Sequence, residues 1–242
     1  MRSVESFSRQ MSCRPLPSRK SGSRTQRLRQ GFRRWFNEDP NRLEMHGGQR
    51  MILPPNTALV IVDVQRAIDD PIWAADGPRN NPEAEVKIAE LLALWRRLGY
   101  PLFHVKHDGT FPTSTYRPGQ PGNDFKPEAA PLPDETIIVK HTNSAFIGTE
   151  LDRFLRLAKI NTVVICGVIT NNSVEATVRV AGNLGYDTYL VEDAGFTFAR
   201  KDFRGRLRSA EEVHDLSLAN MSGTYCMVTS TKEVMEAIAS AG

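Results

Sequence analysis

Three polar side chains of this sequence stand where apolar runs stop, and their types could work together in proton and carbonyl chemistry. Asp63 follows ALVIV, Lys140 follows TIIV, and Ser173 lies a short turn beyond VVICGV. A carboxylate moves a proton, an ammonium pairs with it, and a hydroxyl donates, accepts or attacks. Each residue also has a plainer reading. Asp63 could cap a loop, Lys140 could be a solvated strand end, and Ser173 could cap a helix with Asn171 or Asn172. A buried carboxylate is costly unless paired, and Lys140 is the natural partner for Asp63.

The elements that would position them alternate strand and helix. The apolar runs predict strands over 57–63, 101–106, 135–140, 161–167, 188–191 and 224–229. Amphipathic stretches predict helices near 82–98, 148–158, 172–184 and 209–221, with a last one from Lys232. Runs apolar on successive residues fit strands covered on both faces, so the fold class is α/β, a three-layer α/β/α sandwich around a parallel sheet. In such sheets ligands bind beyond the carboxyl ends of the strands. Asp63, Lys140 and the 167–173 turn all fall at that edge. The Pro- and Gly-rich stretch 109–133 is too long for a mere connection and is expected to cover the site. No internal repeat or second domain is visible, and residues 51–242 read as one domain.

The runs ALVIVDVQ (58–65), ETIIVKHTNSAFIGTEL (135–151) and VVICGVITNNSVEATVRVAGNLGYDTYLVEDA (163–194), in this order and spacing, resemble the isochorismatase-like cysteine hydrolase superfamily. That resemblance implies a six-stranded parallel sheet and an Asp, Lys, Cys triad acting on small amides or related compounds. The family's Asp matches Asp63 and its Lys matches Lys140. Its nucleophilic Cys position holds Ser173, so the expected site is catalytic Asp63, Lys140 and Ser173 with one oxygen in place of sulfur. A thiol ionises near pH 8.5 and a serine hydroxyl far less readily, so proton transfer from Ser173 has to accompany attack. The resemblance further implies a cis Val168–Ile169 peptide and an oxyanion hole from the amides of Ile169 and Ser173. Gln65 is expected to orient Asp63, and Arg117, Asn123 and Phe146 to contact substrate together with it. Ser144 and Phe125 are lesser candidates on the same loops.

Other groups carry weaker signals. Some nicotinamide-cleaving relatives hold a metal with an Asp-x-His pattern that is absent here, so no metal or other cofactor is expected, and His104 and His107 read as strand-end packing or pocket polarity. His214 reads as a helix residue. Cys13, Cys166 and Cys226 have no metal-ligand spacing and no even disulfide count, which suggests a reducing compartment, with Cys166 and Cys226 as inert core.

The net charge of +3 conceals an asymmetry. Residues 1–50 hold 12 Lys or Arg against 4 Asp or Glu, a charge of +8, and the remainder carries −5. The segment is Arg- and Ser-rich without apolar periodicity, so it is expected to be a disordered extension. An organellar presequence, a nucleic-acid-touching arm, and a start at Met45 or Met51 all remain open for it. No apolar run approaches the roughly 18 residues of a membrane span. The expected partners are a small-molecule substrate and, by resemblance, copies of the chain in a dimer or tetramer, with neither membrane nor nucleic acid, and the expected location is cytoplasmic. Three functions stay open: hydrolysis of a C–N bond in a small amide or ureido compound, vinyl ether hydrolysis with Asp63 as general acid, and a silent small-molecule-binding homologue.

Overall fold

A computed structural model describes Met51 and residues 53–240. The expectation of a disordered extension over 1–50, and Cys13 with it, lies outside the described residues. The strands are β1 (Ala58–Val62), β2 (Leu102–His107), β3 (Thr136–Lys140), β4 (Thr162–Val168), β5 (Asp187–Phe196) and, after a short antiparallel ribbon of β6 (Arg200–Lys201) and β7 (Leu207–Arg208), β8 (Met227–Thr229). The main sheet has six strands in the order β3-β2-β1-β4-β5-β8, every adjacent pair parallel. The helices are α1 (Ala84–Leu98), α2 (Leu151–Leu157), α3 (Glu175–Asn183), α4 (Ala210–Met221) and α5 (Thr231–Ala239).

The period-two alternation of side chains along a strand divides the core into two layers. Ala58, Val60 and Val62 of β1 pack with Leu151 and Leu155 of α2, Val178 of α3 and Met221 of α4. Leu59 and Ile61 point the other way, against Ile88, Leu91 and Trp95 of α1 and Val234 and Ile238 of α5. Both faces are therefore covered, as the unbroken apolar runs predict. Trp95 is wholly buried, and its indole donates to the Thr57 carbonyl at 3.0 Å, so its one polar atom is satisfied.

Three element boundaries differ from the sequence reading for identifiable reasons. β5 continues to Phe196 because Gly195 and Phe196 pair with Gly167 and Val168, while Asp193 turns its carboxylate to the N-terminus of α5, accepting from Thr231 N at 2.7 Å. The expected helix from Asn172 opens as a wide π turn over Thr170–Val174, and α3 proper starts at Glu175. Residues 148–150 precede α2, with Gly148 at φ +69°. Within 109–133 the chain is mostly irregular, with short 3-10 turns at Pro121–Asn123 and Pro127–Ala129. Among the described residues no helix is long and apolar enough to cross a membrane.

Candidate active site

The carboxyl ends of β1, β3 and β4 bring the three sequence-predicted residues together. Asp63, the first residue after β1, has a left-handed backbone at φ +55° and is buried. Lys140 ends β3 with none of its surface exposed, and its Nζ donates to Asp63 Oδ2 at 2.6 Å, to the Thr142 carbonyl at 3.0 Å and to Ser173 Oγ at 3.2 Å. His107 Nδ1 lies 3.3 Å from the same nitrogen. An ammonium has three protons, so these four neighbours cannot all be served at once. Asp63 and the Thr142 carbonyl, the two closest, take two of these protons, and Ser173 and His107 compete for the third.

Close backbone approach makes this convergence possible. Gly167 in β4 sits at φ +124°, and a Cβ there would overlap the Val62 carbonyl oxygen and amide nitrogen. Glycine is what lets β4 turn over the end of β1 and carry Ser173 toward Asp63. The Val168–Ile169 peptide is cis, as the resemblance implied. The following turn is anchored from several sides. Ile169 O accepts from Asn172 N at 3.1 Å, Thr177 Oγ1 donates to Ser173 O at 2.7 Å, and Thr197 Oγ1 donates to Asn171 Oδ1 at 2.6 Å. From α4, His214 Nδ1 and Thr170 Oγ1 share a 2.8 Å hydrogen bond. The helix that follows has no side-chain cap, so the Ser173 hydroxyl faces Lys140 rather than serving as a capping group.

The electrostatics follow from burial around one ion pair. Burial pushes the Asp63 carboxyl up to about 6, against the opposing pull of the Lys140 charge and hydrogen bonds from Lys140 and Ser173. Burial likewise lowers Lys140, with Asp63 resisting. His107 falls to about 4 through burial and then the Lys140 charge, which leaves its imidazole neutral near pH 7. Asp63 Oδ1 is buried without a hydrogen-bond partner, and Asp63 lines a cavity of about 430 Å³ together with His107, Ser173 and Ile169. Trp73 and Tyr116 form an aromatic side of that cavity.

The remaining sequence-predicted residues are not on the cavity wall. Gln65 is fully buried; its amide donates to the carbonyls of His107 at 3.0 Å and Asn123 at 2.9 Å, and its oxygen accepts from His107 N at 2.7 Å. Asn123 donates to the carbonyls of His107 and Tyr116 and to Asp108. Arg117 donates to the Pro112 carbonyl at 3.0 Å. Phe146 stacks on Tyr186 at 5.8 Å inside the core, and Ser144 accepts from the Phe146 amide. Phe125 packs edge-on against His104. Gln65 and Asn123 spend their amides chiefly on backbone groups and hold the His107 backbone in place instead of lining the cavity.

Sequence reasoning passed over Trp73 and Tyr116 and did not place His107 beside Lys140. Isolated aromatics in loops have no periodicity to flag them, and only the register of β2 against β3, His107 opposite Lys140, pairs the latter two. Among the described residues no group of three or more His, Cys, Asp or Glu could hold a metal ion. Cys166 and Cys226 are buried free thiols, and burial pushes Cys226 up to about 12.

An isochorismatase domain matches residues 57–233. The chain belongs to the isochorismatase family. Isochorismatase family protein YrdC of Bacillus subtilis is 40% identical over 178 residues, covering 74% of this chain and 94% of its own. A crystal structure of an isochorismatase-family protein from Chromobacterium violaceum superposes with a TM-score of 0.77 at 50% identity, covering 80% of this chain and 99% of that one. Streptothricin hydrolase of Streptomyces noursei is 32% identical over 144 residues, 58% of this chain and 50% of its own. This isochorismatase-family hydrolase therefore has the six-stranded α/β fold that its strand order displays.

Proposed function

We propose that the chain hydrolyses a C–N bond in a small amide or ureido compound, with Ser173 as nucleophile, Asp63 as proton carrier and Lys140 as the charge that binds them. The observation that carries this reading is one buried nitrogen, Lys140 Nζ, in contact with both the Asp63 carboxylate and Ser173 Oγ, two residues that line the cavity. Ser173 Oγ bonds to the carbonyl carbon while its proton passes to Asp63. The C–N bond breaks, and the amine leaves with that proton. Water then attacks the acyl-enzyme, giving a proton to Asp63 that returns to Ser173 Oγ as the acid departs. A carboxylate near 6 is a better base than one near 4, which helps an alcohol more than a thiol. The amides of Ile169 and Ser173 are the proposed oxyanion donors.

Mass spectrometry of the chain with a panel of amides tests the nucleophile. An acyl adduct is expected on Ser173; if neither turnover nor adduct appears, and Ser173→Cys restores none, the nucleophilic reading fails. The raised Asp63 carboxyl also supports a second reading, vinyl ether hydrolysis with protonated Asp63 as general acid. That reading requires activity to survive Ser173→Ala and to be lost in Asp63→Asn, whereas the first requires both to be lost. Turnover that depends on Asp63 removes the silent-binder alternative. We further propose that the chain assembles with copies of itself, which sedimentation would detect.

A further inference from the structure

Four rings form a chain of contacts that reaches the cavity lined by Asp63 and Ser173. Phe198 stacks on Trp73 at 6.5 Å and 29°, Trp73 meets Tyr116 edge-on at 6.0 Å, and Tyr116 meets His107 edge-on at 5.5 Å. The last three line the first cavity, while Phe198 and Trp73 line a second of about 440 Å³. The two cavities share Ile72, Trp73, Ile169 and Asn172, so the cleft continues past Trp73 without leaving the nucleophile turn. Val168, Ile169 and Asn172 also line the first cavity, and of the four rings only Trp73 and Phe198 lie near parallel, so the flat part of the wall is the Trp73–Phe198 pair, with Tyr116 and His107 edge-on beyond it.

The charge inside the first cavity is balanced. Asp63 and Lys140 neutralise each other at 2.6 Å, and the His107 imidazole is neutral near pH 7. Among the described residues the first cavity, where the carbonyl end would sit, is lined by no Lys or Arg; the second is lined by Arg200 and by Asp76, which pairs with Lys201 at 3.6 Å. A carboxylate entering the first cavity would lose water and meet the Asp63 charge without a free cation in return. A flat apolar group meets rings instead, and loses nothing by leaving water.

We propose that the substrate is an uncharged amide bearing a flat aromatic group of about bicyclic size, its carbonyl at Ser173 and its ring system along the Trp73 wall toward Phe198. The placement of the carbonyl rests on the hydrolase reading above; the choice of an uncharged flat group rests on the cleft. The test is calorimetric binding to the full chain carrying Ser173→Ala, with 2-naphthamide, 2-naphthoate and benzamide as probes. Naphthamide is expected to bind at least about tenfold more tightly than naphthoate and more tightly than benzamide. Adding Trp73→Ala is expected to weaken naphthamide about tenfold. Phe111→Ala, at a rim residue three-quarters exposed, is expected to weaken it without disturbing the core. Naphthoate binding as well as naphthamide, no binding of either amide, or indifference to both ring truncations would overturn the proposal. Binding without cleavage by the unsubstituted chain would remove the hydrolase reading and leave the substrate class standing; turnover of amides alongside preferred naphthoate binding would do the reverse.

Discussion

Lys140 does more than place a charge beside Asp63, because its three protons meet four neighbours. The short bond to Asp63 keeps the pair ionised despite burial, and Ser173 and His107 divide the remaining donor. Two predictions belong to this scale. If Asp63 is the base, activity must rise with pH through about 6 as its carboxyl ionises, and if it is the general acid, activity must fall over the same range. A rate profile from pH 4 to 8 separates them, and Asp63→Asn should cost at least about 100-fold in either case. The second concerns His107, whose protonation is opposed first by burial and then by Lys140. In Lys140→Met the charge is gone, so the His107 midpoint should move up from about 4 toward the ordinary range, as read by NMR titration of the ring protons. An unmoved midpoint would leave burial alone as the cause of the depression.

At the scale of elements, the site depends on strands that approach more closely than side chains allow. Gly167→Ala should destabilise the fold by about 2–3 kcal/mol, because a methyl there must displace the β1 backbone and φ +124° disfavours any Cβ. It should also reduce activity in the protein that remains folded, since β4 carries the Ser173 turn; thermal unfolding and residual rate read the two effects separately. The far end of β3 is held by Glu135, whose carboxylate takes Arg96 Nε at 2.7 Å, the Leu132 amide at 2.8 Å and His104 Nε2 at 2.9 Å. The Arg96 hydrogen bond comes first among the causes that hold Glu135 at about 2. A carboxylate lowered on folding adds stability that is fully present above its unfolded value near 4.5 and is lost as pH falls toward 2. Glu135→Gln should therefore flatten the loss of stability between those pH values while lowering it at pH 7, which denaturant titrations across that range would detect.

For the whole molecule, charge and core are segregated along the chain. Residues 1–50 carry +8 and the remainder −5, so any affinity for polyanions should reside in the first segment. Deleting residues 1–50 should abolish retention on heparin at low salt; retention that persists would assign it to the body instead. The body's core is two apolar layers on one sheet, and Trp95 anchors one of them. Its complete burial and its bond to Thr57 fix α1 beside the start of β1, at the opposite end of that strand from Asp63.

The sequence by itself determined the layer order, the parallel sheet and the convergence of Asp63, Lys140 and Ser173 at one sheet edge. These follow from local quantities: unbroken apolar runs, their spacing, and polar residues at run ends. Asp63, Lys140 and Ser173 were legible for that reason, and the family pattern strengthened them. Tertiary structure decided which polar side chains face the cavity. Gln65 and Asn123 look like ligand contacts in the sequence, yet they are spent on the backbone of His107, while Trp73 and Tyr116, silent in any periodic pattern, make the wall. Side chains on an irregular loop are oriented by hydrogen bonds to segments tens of residues away, as Gln65 is to His107, and no local pattern encodes such partners.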